Sequence, residues 1–369
     1  MSAPHMDPPR LLLDPYGAWA EKEGVPVTED FSVDLTTCAT APWSRFGVHG
    51  GIVNLKGRGD FVSIFVIELH PAAEMSPQQH LFEEVVYVLS GHGSTAIEAA
   101  DGRKHIFEWG PKSLFVLPLN ARYQHFNASG REPVRLASVN TFSLMLNLFR
   151  DERFIVDNGF RFPEREDAPR PFSGEADFVA IRPGRNVWET AFVPDLSAFD
   201  LKAWDAGPDG AATMTFVLGE SAMHAQLSQS PAGYYRKAQR PRTDAHLFCV
   251  GDRGYSLMWH EGARDLVRVD WRHGVVFATP AGMYRQDFNT SPHPGRMLAV
   301  GLGGMRYPLT AARRHAFLGM EVGDAADEIY YAAQDPRIHA TWLKEMADTG
   351  TTSQMSAFID ERPSKGSQD

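Results

Sequence analysis

One stretch, residues 78–91, constrains the fold of this chain more than any other part; its sequence is QQHLFEEVVYVLSG. The apolar run Val85–Leu89, followed shortly by a glycine, is typical of a buried strand that enters a tight turn. Successive side chains of a strand point to opposite faces, so alternate residues share a face. If the strand is unbroken, Gln78, His80 and Glu84 lie on one face. The stretch therefore predicts a row of polar side chains directed into a β-structure.

A second stretch reads GPKSLFVLPLNARYQHFN and covers residues 110–127. Together the two stretches resemble the two sequence motifs of the cupin family. In that family the first motif has two alternate histidines, a glutamate and a glycine, and the second has a proline, a histidine and an asparagine. His80 and Glu84 match the second histidine and the glutamate, whereas Gln78 stands at the place of the first histidine. The resemblance implies a small β-barrel that carries these side chains inside.

The second stretch departs from the family pattern at its histidine. The family spacing, counted from Pro118 and back from Asn127, places Tyr123 at the position of the metal-binding histidine. His125 lies two residues further along and therefore on the same face of the strand. Both residues are candidates for the site inside this barrel.

The second half of the chain repeats the first. The order of glycine, apolar run and proline seen in residues 110–127 recurs from Gly274. Both copies end in Gln-X-Phe-Asn, and the two asparagines, Asn127 and Asn289, are 162 residues apart (289 minus 127). The chain therefore resembles a bicupin. The resemblance implies an all-β fold of two tandem cupin barrels, of the double-stranded β-helix or jelly-roll type, with a few short peripheral helices. Positions 285 and 287 also look like the His-X-His-X-Asn signature of gentisate-type ring-cleaving dioxygenases, with both histidines replaced.

Composition shifts and turn signals divide the chain into five parts. We expect an N-terminal lead-in with a short helix, a first barrel, a connecting arm, a second barrel with a degenerate metal motif, and a helical tail. Their predicted bounds are 1–45, 46–150, 151–210, 211–308 and 309–369. We expect four aromatic residues of the arm to dock on a barrel: Trp188, Phe192, Phe199 and Trp204.

Charge and hydropathy exclude several partners. The formal net charge of −10 argues against binding to nucleic acid, which basic surfaces recognise through the phosphates. No apolar run approaches the roughly 18 residues of a membrane helix. Met1–Arg10 has three prolines and no apolar segment of the kind found in secretory signals. We therefore expect a cytoplasmic protein that acts on a small molecule, and by analogy with other bicupins we expect a homodimer.

The N-terminal barrel is the predicted metal site. A non-haem metal centre needs a few nitrogen and oxygen ligands, with positions left open for substrate. His80, Glu84 and His125 supply such a set, and the resemblance implies Fe(II), or else Mn, Ni or Zn. Gln78 and Tyr123 are the candidate catalytic residues that orient the substrate. The alternative is that no metal is bound and these groups form a hydrogen-bonded network, since buried polar groups need partners in either case.

The C-terminal barrel is predicted to hold no metal. Arg285 stands at the position of the second-motif histidine, and arginine stays protonated and cannot bind a cation. Gln239, His246, Arg285 and Asp287, with Tyr284 nearby, are the candidate substrate-binding residues. In that hypothesis Arg285 pairs with a substrate carboxylate, while His246 or Asp287 moves protons. The alternative is a degenerate barrel kept for packing.

Three functions are compatible with this pattern. The first is an Fe(II)-dependent oxygenase or dioxygenase, with the metal in the N-terminal barrel and a small organic substrate that is aromatic or carries a carboxylate. The second is a metal-independent cupin that works as an isomerase, cyclase or lyase through acid–base residues. The third is a non-catalytic bicupin that binds a small molecule. Fold alone does not choose among them, because one fold carries many chemistries.

Overall fold

The computed structural model of the chain describes residues 13–56, 61–166, 172–182, 185–201, 211–241, 245–251, 253–308 and 328–360. The first half of the chain is built from short strands and a few short helices. The strands are β1 (Val27–Asp30), β2 (Ser32–Asp34), β3 (Ala41–Trp43), β4 (Val48–Leu55), β5 (Ser63–Leu69), β6 (Glu84–Ser90), β7 (Gly93–Glu98), β8 (Lys104–Trp109), β9 (Leu114–Leu117), β10 (Arg122–Asn127) and β11 (Val134–Asn140). The helices are α1 (Pro15–Glu23), α2 (Phe142–Phe149), α3 (Glu152–Ile155) and α4 (Pro163–Glu166).

The second half has the same character. Its strands are β12 (Asp177–Arg182), β13 (Arg185–Thr190), β14 (Phe192–Val193), β15 (Ala212–Leu218), β16 (Met223–Ser230), β17 (Tyr234–Tyr235), β18 (Ala238–Gln239), β19 (His246–Cys249), β20 (Gly254–Trp259), β21 (Val267–Trp271), β22 (Val275–Phe277), β23 (Tyr284–Asn289), β24 (Gly295–Leu302) and β25 (Glu328–Ile329). It ends in helix α5 (Pro336–Thr349), with short 3-10 helices at Tyr331–Ala333 and Met355–Ala357.

The strands form two barrels, each made of a large and a small sheet. In the N-terminal barrel the large sheet has the order β1-β4-β5-β11-β6-β9-β14, with β3 beside β4, and the small sheet has the order β10-β7-β8. In the C-terminal barrel the orders are β12-β13-β15-β16-β24-β19-β22-β2 and β21-β20-β23-β18-β25, with β17 beside β23. The arrangement of β5-β11-β6-β9 with β10-β7-β8 thus recurs as β16-β24-β19-β22 with β23-β20-β21. The predicted all-β fold of two tandem cupin barrels is confirmed.

The two large sheets pack against each other through their outer faces. Strand β6 is buried from Glu84 to Leu89, as expected of a strand covered on both sides. Tyr87 on β6 lies against Phe248 on β19, with 5.5 Å between the ring centroids. Apolar residues from both barrels belong to one continuous hydrophobic core. Alternate residues of β6 therefore serve different purposes: one set faces the partner barrel, and the other set faces the interior of its own barrel.

The lead-in and the arm contribute strands to both barrels. Strand β2, from the lead-in, pairs with β22 of the C-terminal barrel. Strand β14, from the arm, pairs with β9 of the N-terminal barrel, and β13 pairs in parallel with β15. Trp188 and Phe199 pack edge to face, and Phe199 also packs on Phe216 of β15. Phe192 is buried, whereas Trp204 lies outside the described residues.

The repeated Gln-X-Phe-Asn motif stabilises the backbone of each barrel. The amide nitrogen of Asn127 donates to the carbonyls of Leu69, His70 and Glu132. The Asn289 amide does the same for the carbonyls of Ser230, Pro231 and His293. In both copies the glutamine amide also donates to a backbone carbonyl, that of Met75 or that of Arg236. The sequence repeat at these positions therefore reflects a shared structural role.

Helix α5 covers the outer face of the small sheet of the C-terminal barrel. Trp342 and Met346 are buried there with Ile338, in a cluster that includes residues of β17, β20 and β23. The side chain of the neighbouring Leu343, by contrast, is 48% exposed. Residue 343 lies one position from 342, about 100° around the helix, and so falls beside the buried stripe.

Removing the N-cap of this helix is expected to cost about 1 kcal/mol of unfolding free energy. The Asp335 carboxylate accepts from the backbone N–H of Arg337, so Asp335→Ala leaves that donor to water. Asp348→Ala is the matched control, since it removes the same side chain at the other end of the helix, where a negative charge is unfavourable. Urea unfolding of both variants gives the comparison. Equal losses for the two would contradict the capping role.

Among the described residues, none of the helices has the length and apolar character required to cross a membrane.

Candidate functional site

The candidate site lies inside the N-terminal barrel, where the two sheets face each other. Glu84 at the start of β6 lies opposite Tyr123 and His125 on β10, and apolar side chains surround them. The cavity left between these side chains is small. Its volume, counted as the space open to the centre of a water molecule, is about 10 Å³, enough for about one water molecule. The lining includes Phe46, Phe65, Met75, Phe82, Leu136 and Ser138. The site is therefore closed and mostly apolar, with a small polar centre.

Three side chains form a closed triangle at this centre. His80 Nε2 lies 2.8 Å from Glu84 Oε2 and 3.2 Å from the Tyr123 hydroxyl. The Tyr123 hydroxyl donates to the same Glu84 oxygen at 2.8 Å. All three residues are at most 5% exposed. A buried carboxylate thus has two partners on one oxygen, an arrangement that keeps it from being an unpaired buried charge.

The hydrogen bonds define the protonation of the triangle. His80 Nδ1 lies 3.1 Å from the backbone carbonyl of Phe82, which can only accept, so Nδ1 carries a proton. Burial opposes ionisation of Glu84, but hydrogen bonds from His80 and Ser138 and the nearby imidazole charge outweigh it, so the pKa of Glu84 is lowered. An ionised carboxylate only accepts, and Nε2 of His80 must then donate. We infer an imidazolium–carboxylate pair.

Tyr123 holds its proton firmly. Burial raises the pKa of its phenol well above the usual value, and the charge of Glu84 and the hydrogen bond to it raise it further. The phenol is therefore a neutral donor within the triangle. His80 also stacks on Phe82, with 3.5 Å between ring centroids and 3° between the planes. This stacking and the Nδ1 hydrogen bond fix the orientation of the imidazole.

His125 is buried in the same barrel and has different partners. Its Nδ1 lies 2.7 Å from the hydroxyl of Thr95, which accepts a hydrogen bond from the indole of Trp109 at 2.8 Å. Burial lowers the pKa of His125 to about 4, and the Glu84 charge offsets this only in part. His125 is therefore neutral at neutral pH.

The predicted metal ligands are not assembled as a metal site. In the described part of the chain, no three His, Cys, Asp or Glu side chains are grouped so that they can hold a metal ion. His80 and Glu84 are in contact, but His125 is held by Thr95, and Tyr123 takes the third corner of the triangle. The predicted set of His80, Glu84 and His125 is therefore not gathered around one point in the described part of the chain.

Gln78 does not join the triangle. Its side-chain amide donates to the backbone carbonyls of Arg45 and Ser76. The backbone around it forms a bridge to Tyr123, and regular strand pairing begins only at Glu84. Gln78 is thus buried beside the site and holds backbone carbonyls.

In the C-terminal barrel, Arg285 and Asp287 lie together. Arg285 Nε contacts Asp287 Oδ2 at 3.1 Å, and the guanidinium also reaches the Thr279 hydroxyl at 3.3 Å. The Ser256 hydroxyl donates to the other Asp287 oxygen at 2.7 Å. The positive charge of Arg285 is therefore already paired with a carboxylate within the barrel.

The other three candidates of this barrel are elsewhere. Leu247 and Cys249 belong to the apolar interior of the barrel, so His246 points to the opposite face, toward the N-terminal barrel. A shift of one residue in the alignment to the first barrel explains this, because it moves a side chain to the other face. Tyr284 packs in the cluster beneath helix α5. Gln239 is exposed and donates to Glu328. The expected five-residue cluster is thus reduced to Arg285 and Asp287.

Both barrels contain a tryptophan–hydroxyl relay that sequence reasoning missed. The Trp109 indole donates to Thr95, which meets His125; likewise the Trp271 indole donates to Ser256 at 2.9 Å, which meets Asp287. Residues 125 and 287 are thus equivalent. The signal was present in the sequence: a tryptophan shortly precedes the repeated glycine, as Trp109 before Gly110 and Trp271 before Gly274.

Thr95→Val is expected to lower the free energy of unfolding by about 1–3 kcal/mol. The change keeps the shape of the side chain but leaves the buried Trp109 N–H and His125 Nδ1 without their partner. Ser94→Ala on the same strand is the control, because its side chain points to the other face and should shift the value by no more than about 0.5 kcal/mol. Denaturant unfolding measures both. Equal stabilities would show that the relay contributes nothing.

Comparisons with known proteins identify no family. No protein-family model matches the chain, and no curated protein matches it. Among solved structures, the chain is similar to oxalate decarboxylase from Bacillus subtilis at pH 4.6, with 13% identity over 75% of this chain and 77% of that chain and a TM-score of 0.47. A structure on the substrate binding mode of oxalate decarboxylase has 13% identity over 75% and 78% of the two chains and a TM-score of 0.48. At this level the likeness gives no information about the reaction of the present chain.

Proposed function

We propose that the protein is a bicupin enzyme that catalyses proton transfer on a small organic substrate inside the N-terminal barrel, without a metal ion. The buried triangle of His80, Glu84 and Tyr123 is the observation that supports this proposal. It combines a carboxylate that is ionised and a phenol that keeps its proton, both within one closed cavity. Groups whose environments push their pKa values apart are typical of acid–base sites.

Each member of the triangle has a role in this proposal. Glu84 accepts a proton from a carbon next to a substrate carbonyl, and the Tyr123 phenol, which keeps its proton, donates a hydrogen bond to the oxygen of the resulting enolate. Return of a proton to a different carbon completes an isomerisation, and the same first step begins a cyclisation or an elimination. His80 orients Glu84 and stabilises the negative charge. No oxidant or reductant is required, since only protons and the electron pair of a C–H bond move.

The walls of the cavity favour an apolar substrate that carries a carbonyl group. Phe46, Phe65, Phe82 and Met75 surround the polar centre, and aromatic and thioether groups pack well on flat apolar molecules. The free space of about 10 Å³ holds about one water molecule, so substrate entry requires these side chains to move apart. Arg285 in the other barrel is paired with Asp287, and we assign it no part in the reaction.

Solvent deuterium incorporation tests the proposal without knowledge of the product. The protein is incubated in D₂O with a panel of small ketones, 2-oxo acids and aryl-substituted carbonyl compounds, and exchange is followed by proton NMR. We expect exchange at carbon in at least one compound, unchanged by a chelator and reduced about 10²–10⁴-fold in Glu84→Gln and in Tyr123→Phe. Arg285→Gln is the control that should retain the rate. Exchange that survives Glu84→Gln would reject the role of the triangle.

An Fe(II)-dependent dioxygenase, of the gentisate type suggested by the sequence signature, is the second candidate. One observation favours it: the three atoms of the triangle are 2.8, 2.8 and 3.2 Å apart, and neighbouring ligands about 2.1 Å from one ion are about 3.0 Å apart at right angles. His80 also donates its other ring nitrogen to a carbonyl, as metal-binding histidines do. When bound, Fe(II) would activate oxygen; His80, Glu84 and Tyr123 would hold it in place of the predicted His125.

Oxygen uptake separates the two candidates. Protein purified without chelators is assayed for iron and for oxygen consumption with phenolic acids, before and after addition of Fe(II). Stoichiometric iron that disappears in His80→Ala, together with oxygen uptake, would favour the dioxygenase. Tight binding of a panel compound with neither exchange nor oxygen uptake would favour the non-catalytic bicupin. The expected homodimer remains a prediction, which light scattering of the intact protein checks.

A further inference from the structure

Two histidines outside the barrel interior lie in direct contact on the large sheet of the N-terminal barrel. His70 Nε2 is 2.6 Å from His49 Nδ1, and the rings are edge to face with centroids 4.4 Å apart. His49 is half-buried and His70 is exposed. Neither residue belongs to the triangle or to the tryptophan–hydroxyl relay. The two imidazoles therefore form a cluster of their own, apart from the barrel interior and accessible to solvent.

The sheet fixes the spacing of the pair. His49 on β4 is directly opposite Glu68 on β5, and His70 follows Glu68 by two residues, so the two histidines are diagonal neighbours on one face. The backbone at His70 is fixed as well, because its carbonyl accepts from the Asn127 amide and from the N–H of Ala73. Both side chains are thus presented by an ordered backbone.

The chemistry of two adjacent imidazoles is that of a chelating site. In the observed contact one ring nitrogen donates and the other accepts, so at least one lone pair is directed between the rings. Two nitrogens that share one ion at about 2.1 Å and at right angles are about 3.0 Å apart. The observed 2.6 Å needs to open by only a few tenths of an ångström, which side-chain rotation at a solvent-exposed site allows.

We propose that His49 and His70 bind a divalent late first-row transition ion, with water completing its coordination. Imidazole is a preferred ligand of Cu²⁺, Ni²⁺ and Zn²⁺, and the general order of affinity makes Cu²⁺ the tightest of the three. Glu68 is engaged by Arg135 at 3.0 Å, so nitrogen ligands dominate the site. Metal bound here is independent of the barrel interior and would add to the metal content of the whole protein.

A copper titration of the untagged full-length protein tests the site. Electron paramagnetic resonance with sub-stoichiometric Cu²⁺ is expected to show coupling to nitrogen ligands, and calorimetry is expected to show one tight equivalent. His49→Ala and His70→Ala should each weaken this binding at least about tenfold. His49→Gln and His70→Gln repeat the test with larger polar replacements, so that a folding defect in one variant does not decide the result.

Two control variants locate the ion. His260→Ala removes an exposed histidine of the C-terminal barrel, and His92→Ala removes an exposed histidine of the N-terminal barrel; both should keep the copper affinity of the unmodified protein. Copper binding that persists in all four variants at residues 49 and 70 would overturn the proposal. Loss of the tight equivalent in one of the two control variants alone would assign the ion to that histidine instead and would overturn the proposal equally.

Discussion

Glu84→Leu is expected to lower the free energy of unfolding by about 3–5 kcal/mol at pH 7, because it removes one member of a buried ion pair and leaves the other uncompensated. His80 Nε2 and the Tyr123 hydroxyl both use Glu84 Oε2 as acceptor, and the cavity has room for only about one water to replace it. Leucine has similar length, so the loss of packing is small and the loss of the acceptor dominates. Urea unfolding gives the value.

Glu84→Gln is the matched control for this change. Its amide oxygen still accepts from Tyr123, and its amide nitrogen can donate to a neutral His80, so we expect a smaller loss of about 1–2 kcal/mol. The pKa of Glu84 is lowered in the folded state, so the stability it contributes is present above the unfolded pKa of about 4.3 and is lost as the pH falls through the folded value. The difference in the free energy of unfolding between the unmodified protein and Glu84→Leu should therefore become smaller at acidic pH. Equal stability of the two proteins at pH 7 would refute the buried ion pair.

His125 is expected to make the protein sensitive to mild acid. Its pKa falls from the ordinary 6.5 to about 4 on folding, so between these values the unfolded state binds more protons than the folded state. Stability therefore falls as the pH decreases, with the full value retained only above about pH 6.5. One pKa unit corresponds to 1.36 kcal/mol, which gives a loss of about 3 kcal/mol on going from pH 7 to pH 4.

Comparison of pH profiles isolates this contribution. His125→Leu removes the titrating group, so its free energy of unfolding should fall less between pH 7 and pH 4 than that of the unmodified protein, by about 3 kcal/mol. His260→Ala, at an exposed histidine, should retain the profile of the unmodified protein. Parallel profiles for the unmodified protein and His125→Leu would show that His125 is protonated as readily in the folded state as in the unfolded one.

The fold was predictable because its signals are local and occur twice. Alternating and continuous apolar runs define the strands, and glycines mark the turns between them. The Gln-X-Phe-Asn motif repeats because Asn127 and Asn289 each hold three backbone carbonyls. Because the same hydrogen bonds are needed in both barrels, the same residues occur in both halves. The duplication can therefore be recognised from this one sequence. The pairing of β2 with β22 and of β14 with β9 could not be predicted in this way. Each pair joins strands that are far apart in the sequence, and no local motif marks them.

The site was predictable only in part. Sequence reasoning placed His80, Glu84, Tyr123 and His125 in one barrel, and the structure has them there. It assumed an unbroken strand from residue 78, whereas regular pairing starts at Glu84. Residues 78–83 are irregular, and the bridge from His80 leads to Val156 of the arm. The direction of the Gln78 side chain could not be predicted from its position, because side chains alternate between the two faces only within a regular strand.

In the second barrel the difficulty was register. His246 was expected among the substrate-binding residues inside the barrel, but the side chains directed inward are those of residues 247 and 249. A slip of one residue reverses the direction of every side chain in a strand. Strands β6 and β19 are similar in composition, so a slip of one residue between them cannot be seen in the sequence. The pairing of Arg285 with Asp287, by contrast, follows from their alternate positions on β23, and it could have been expected from the spacing alone.

A metal-free triangle in which His80 donates to an ionised Glu84 requires a proton on each ring nitrogen of His80. Proton–nitrogen correlation NMR of labelled protein at pH 7, with His80→Gln to assign the signals, detects whether Nδ1 and Nε2 each carry a proton. We predict protons on both nitrogens and no shift of these signals when Zn²⁺ is added. An unprotonated Nε2 whose signal moves on addition of one equivalent of Zn²⁺ would show that the triangle is a metal site and not an ion pair.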